Sequence, residues 1–175
     1  RIVSLVEKNG FDETTRPLKY FIQNRYMDLI LNKAIAFMEI NVTKNKVEGG
    51  IRDLVGTQPD IGEDLPRLTN DSGDLLYDEF ETWWAGKYLI KCDKDFHLLS
   101  SCAYLEKCYE KGETNVEMLC KCLDRNGEIY DCRKSIFITR DEFKGDIMAL
   151  CVIYDISQET KERLDFQHRD ATIRS

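Results

Sequence analysis

The stretch DIMALCVIYDI, residues 146–156, constrains the fold more than any other part of the chain. Its apolar residues fall on both parities, so a strand built from it must be covered on both faces and belongs inside a sheet. It ends in Asp155-Ile156-Ser157 and passes at once into QETKERLDFQHRD, where most positions are charged or polar. A buried strand therefore leads straight into an exposed helix. The remaining residues must supply neighbours for this strand and cover for its two faces.

Three further strands and a return read out by alternation. AIAFMEINV (34–42) is apolar on alternate positions with Glu39 and Asn41 on the other side, TKNKV is a turn around Asn45, and VEGGI returns, giving a hairpin over 34–52. NVEMLCKCL (115–123) alternates, Asn126-Gly127 suits a tight hairpin turn, and IYDCRKSIFIT (129–139) runs back before a turn at Lys144-Gly145. DLLYDEFETWWAG, from Asp74 to Gly86, has helical spacing, with Leu76, Phe80, Trp83 and Trp84 on one side and Gly86 as the stop. Adjacent Trp83 and Trp84 cannot both face inward, so one packs and the other sits at an edge. A second helix is expected over 95–110, ending at Gly112. Near the start, residues 1–14 read as a connector. A helix then begins with a hydroxyl cap at Thr14-Thr15 and Pro17 in its first turn, placing Leu18, Phe21, Ile22, Tyr26, Leu29 and Ile30 on one face. Residues 53–73, with two Pro, three Gly and many acids, read as loop. Strands interrupted by helices make an α+β layout.

The chain has 175 residues, 42% of them hydrophobic and 33% charged, which fits one globular domain with extensions. It holds no run long enough for a membrane span and no signal-peptide pattern. Because the first residue is Arg1, the chain is expected to be a piece of a longer protein. A net charge of −7 disfavours nucleic acid as a partner, since that binding rests on clustered Lys and Arg. Seven cysteines, an odd and scattered set, point to a reducing compartment and a cytoplasmic location.

Chemistry-bearing motifs are few. There is no phosphate-binding Gly loop, no His-Glu-x-x-His and no Gly-x-Ser-x-Gly, so no catalytic residue is assigned. Cys92, His97, Cys102 and Cys108 lie in one region, but without a Cys-x-x-Cys spacing, and His97 to Cys102 is not a one-face helical step. No metal site is assigned, and neither haem (with His97 as its axial ligand) nor flavin is supported. Cys120 and Cys122 lie two apart on a strand and share a face with Val116 and Met118. By the same parity Met38, Ile40, Met118, Cys120, Cys122 and Cys132 form an inward patch, either the wall of a ligand pocket or core filler.

Four stretches resemble PAS domains, the sensory modules of bacterial signalling proteins. They are YDEFETWWAGKYLIKCDKDF (77–96), YLEKCYEKGE (104–113), LDRNGEIYDCRK (123–134) and GDIMALCVIYDISQETK (145–161). The similarity is to the subgroup found in clostridial-type diguanylate cyclases and histidine kinases, and it extends over about residues 15–161. Lys91-Cys92-Asp93-Lys94 departs from a His-Pro-Glu-Asp type turn, and Asp131 stands where an aromatic is common. The resemblance implies a five-stranded antiparallel sheet of order 2-1-5-4-3 with helices on one face, plus N-terminal and C-terminal flanking helices. It further implies a sensor domain over 15–157, a signalling helix or linker over 158–175, and coupling through Asp155, Ile156 and Ser157. The function implied is a non-catalytic cytoplasmic sensor of a small-molecule ligand or partner, working as a homodimer through the flanking helices. It would regulate a diguanylate cyclase or, second, a histidine kinase. The rivals are a ligand-free dimerisation module and a haem or metal redox sensor.

Overall fold

The computed structural model describes residues 34–53 and 62–174. The expected connector over 1–14 and the helix following it lie outside the described residues. Among the described residues six strands form one antiparallel sheet in the order β2-β1-β6-β5-β4-β3. They are β1 (Ala34–Asn41), β2 (Lys46–Asp53), β3 (Leu89–Cys92), β4 (Asn115–Leu123), β5 (Ile129–Arg140) and β6 (Ile147–Asp155). Without β3, which is added at the edge beside β4, this is the expected order 2-1-5-4-3. The helices are α1 (Leu65–Leu68), α2 (Tyr77–Tyr88), α3 (Phe96–Ser100), α4 (Cys102–Glu110) and α5 (Ser157–Arg174).

The doubly apolar β6 lies between β1 and β5, as its composition demands. Ala149 and Cys151 enter the main core with residues of α2–α4, while Val152 points to the other face and packs with Ala34 and Phe37. Alternation is equally clear in β4, where Val116, Met118, Cys120 and Cys122 are buried and Glu117 and Leu119 are exposed. Left-handed Gly127 (φ 78°) closes the β4–β5 hairpin, a conformation that costs glycine little.

The hairpin turn between β1 and β2 also starts α2. Asn45, itself left-handed at φ 50°, accepts the Tyr77 amide on its carbonyl at 3.2 Å and the Asp78 amide on its Oδ1 at 2.9 Å. Asp78 in turn accepts the Cys102 amide at 2.9 Å, tying the start of α4 to α2.

Four expectations need correction. The helix begins at Tyr77 rather than Asp74, because Leu75 and Leu76 are drawn into bridges with Thr69 and Lys46. Gly86 does not stop it. The chain stays helical to Tyr88 and ends where Leu89 turns extended into β3, a strand not anticipated at all. The helix over 95–110 is two helices, since Ser101 is extended and its side chain caps α4 by accepting from the Tyr104 amide. Finally, part of the expected loop over 53–73 is the short helix α1.

Candidate functional site

All six inward residues expected from parity, Met38, Ile40, Met118, Cys120, Cys122 and Cys132, are buried in one cluster. They face Phe80 and Trp84 of α2, Phe96 of α3 and Leu105 and Cys108 of α4. Ile40, Met118 and Cys122 have no exposed surface.

The same parity gives one more inward position, Lys134. On β5 the inward series runs Cys132, Lys134, Ile136, Ile138, and Lys134 is 2% exposed. Its ammonium forms an ion pair with Glu81 of α2, itself 7% exposed. The Nζ also donates to Ser100 Oγ at 3.4 Å and stands 4.4 Å from the centre of the Phe96 ring. Burial by itself would lower the pKa of this ammonium, but Glu81 and its other neighbours together hold it above the ordinary lysine value. Tyr77 belongs to the same core. It is fully buried, and among the described residues its hydroxyl has no hydrogen-bond partner. The apolar patch read from the sequence thus surrounds a charged pair and an orphan hydroxyl, groups that could orient a polar ligand.

Four of the seven cysteines lie close together in pairs. Cys92 and Cys120 are opposite each other on β3 and β4 with sulfurs 3.4 Å apart, and Cys122 and Cys132 have theirs at 3.7 Å. Burial pushes the Cys92 thiol up to about 11 and Cys151 up to about 12. His97 is exposed and packs edge-on against Phe96. Among the described residues no group of three or more His, Cys, Asp or Glu side chains is placed to hold a metal ion. Of the two tryptophans, Trp84 is buried and Trp83 lies half-buried, its indole donating to Asp64 at 2.8 Å.

The Asp155-Ile156-Ser157 exit is built around Asp131 of β5. The Ile156 amide donates to the Asp131 carbonyl at 2.9 Å, and the Asp131 amide donates to Ser157 Oγ at 2.9 Å. Asp155 Oδ1 accepts the Ser157 amide at 2.9 Å, and the Ile156 carbonyl takes the helical bond from Thr160. Gln158 does not complete a capping box; its amide donates forward to Glu162 at 3.0 Å. Asp131 is also ion-paired to Lys121 at 2.9 Å. On the sheet face opposite α2–α4, β3, β4, β5 and the first turns of α5 line a cleft of about 410 Å³. Leu119, Arg133, Ile156 and Thr160 are among the residues that line it. Beyond its first turns α5 buries no residue, and Leu164, Phe166 and Ile173 are exposed. No helix of the described residues is long and apolar enough to cross a membrane.

No protein-family model and no curated protein matches the chain. Solved structures that it resembles include an RNA-binding light-oxygen-voltage receptor (10% identity, TM-score 0.47), where the match covers 93% of this chain and 41% of that one. A second is the N-terminal domain of a diguanylate cyclase with a PAS/PAC sensor from Marinobacter aquaeolei (21% identity, TM-score 0.39), covering 71% and 96% of the two chains. A third is a light-oxygen-voltage domain whose mechanism was addressed with a flavin analogue (12% identity, TM-score 0.40), covering 83% and 96%. The chain therefore spans about two fifths of the first of these. Its own strand order, with the last strand between the first and the next to last, makes the fold PAS-like.

Proposed function

We propose that this chain is a PAS-type sensory module of a larger cytoplasmic signalling protein, with no catalysis of its own. In this reading residues 15–157 are the sensor, 158–175 carry the signal onward, and 1–14 connect to what precedes. A small molecule or partner acting at the inner face, beside Lys134, Glu81 and Tyr77, shifts the population between two arrangements of sheet and helices. The output is a diguanylate cyclase, with a histidine kinase as the second choice.

The observation that carries the proposal is the unbroken link from β6 to α5. The strand β6 leaves the sheet through Ile156 and Ser157, both hydrogen-bonded to Asp131, with Asp155 holding the Ser157 amide and no flexible loop to absorb a displacement. The test compares Asp155→Ala and Ser157→Ala with the parent protein, measuring melting temperature and output activity with and without stimulus. Output should change while folding persists. Normal switching in both stably folded variants would mean that the signal leaves by another route.

A second reading has support of its own in the exposed Leu164, Phe166 and Ile173, which suit a ligand-free module that pairs two chains. Sedimentation equilibrium of the chain and of a variant with these three residues changed to Ser, together with native mass spectrometry for retained ligands, separates the readings.

A further inference from the structure

We propose that Cys92 and Cys120 form a cross-strand dithiol that closes to a disulfide, a redox-modification site at the open edge of the sheet. The two residues are direct partners in the β3–β4 ladder, and their sulfurs already lie 3.4 Å apart. Directly opposed strand residues have the separation a disulfide spans, so closure needs side-chain rotation and little backbone movement. Cys92 is half-buried on the edge strand, which makes it the sulfur a reagent reaches first. Cys120 also stands directly opposite Cys132, and Cys122 lies diagonally from Cys132, but all three of these cysteines are buried. Their pairing is therefore shielded.

The reaction needs an oxidant of the low-molecular-weight disulfide class, such as oxidised glutathione. The Cys92 thiolate attacks one sulfur of that disulfide, forming a mixed disulfide and releasing one thiol. The Cys120 thiolate then attacks the Cys92 sulfur and releases the second thiol. In balance, one dithiol and one external disulfide give one internal disulfide and two external thiols. Burial raises the Cys92 thiol to about 11, and the hydrogen bond with Cys132 together with burial raises Cys120 further, so little thiolate is present at neutral pH and both steps of the exchange are slow.

The location gives the modification a consequence. The rung that pairs Cys92 with Cys120 continues to Cys132 and then to Asp155, across four strands. At its edge, β3 has four residues and a register shift between Leu89 and Lys91, so it is weakly held. A covalent bond there fixes the outer end of the rung whose inner end is the start of the exit to α5. The dithiol itself stands independently of the sensory proposal, because it can form in a module that senses nothing.

The test uses the full 175-residue chain under native conditions, equilibrated in glutathione mixtures from fully reduced to fully oxidised. Samples are quenched in acid, alkylated and mapped by mass spectrometry. The expected first product has lost two hydrogens and carries a Cys92–Cys120 bond. Cys92→Ser loses this product and Cys122→Ser keeps it. A first disulfide between any other pair overturns the proposal, as does a product that stops at glutathione on Cys92. So does the absence of any internal disulfide at the most oxidising end. If Cys92→Ser does not fold, mapping in the unaltered chain and in Cys122→Ser still decides.

Discussion

Lys134 shows how one side chain sets the conditions for its surroundings. An ammonium inside a core is tolerated because Glu81 neutralises it and Ser100 and the Phe96 ring satisfy part of its remaining capacity. Removing one member leaves a buried charge without compensation. Lys134→Met should thus cost about 3–5 kcal/mol, and Lys134→Met with Glu81→Leu should recover much of that loss. Urea denaturation of the two variants measures both values. A double variant no better than the single one would show that the pair is not an energetic unit. Cys92 gives a second prediction at this scale. Its pKa is raised first by burial, with Cys120 and Asp93 adding to the rise and the Lys94 amide opposing it. Its alkylation rate should therefore increase roughly tenfold per pH unit from neutrality towards about 11, where a free thiol would level off near 8.5. Rates that level off near the free-thiol value would mean that the sulfur is solvated.

Elements differ in how clearly the chain declares them. β4, β5 and β6 were legible because nine or more residues of regular alternation or double-sided burial leave one assignment. β3 was not. LIKC is too short to show a period, and it follows α2 without any turn residue, so only pairing with β4 makes it a strand. The break between α3 and α4 escaped for a related reason, since Ser100-Ser101 is compatible with either a continuous helix or a cap. In the candidate site the apolar members were legible by parity, and so was Lys134, whose position among Cys132, Ile136 and Ile138 was the available signal. Its partner carried a signal too, since Glu81 falls four residues after Tyr77 on the stripe of Phe80, Trp84 and Ala85, while Asp78 and Glu79 fall off it. At this scale Ser101→Ala should remove the cap of α4 and cost about 0.5–2 kcal/mol. Thermal melts check this value. A change much above it would point to a role for Ser101 beyond the cap.

For the whole molecule, the inner-face core is continuous across β1, β4, β5, β6 and α2–α4, so a void at its centre is felt widely. Met118 has no exposed surface, and Met118→Ala should destabilise by about 2–5 kcal/mol. A loss below 1 kcal/mol, read from urea denaturation, would mean that the core around it collapses freely. Cys120→Trp tests the same core from the other side, since overpacking should cost about 1–3 kcal/mol. The position of β6 also has a consequence for how the protein is made. Among the described strands of the sheet it is the last to be synthesised, yet it separates β1 from β5, and Asn41 waits for Met148, 148 − 41 = 107 residues later. At about 5–20 residues per second, β1 and β2 stand without their inner neighbour for roughly 5–20 s. During that interval the β1–β2 hairpin and the β3–β5 meander exist as two unjoined pieces with open edges, the state in which strands find wrong partners. A nascent chain arrested before residue 147 should therefore show no protease-resistant core, and one arrested well past residue 155 should acquire it in a single step. The dependence on chaperones during synthesis is set by where one strand sits, and not by the stability the sheet finally attains.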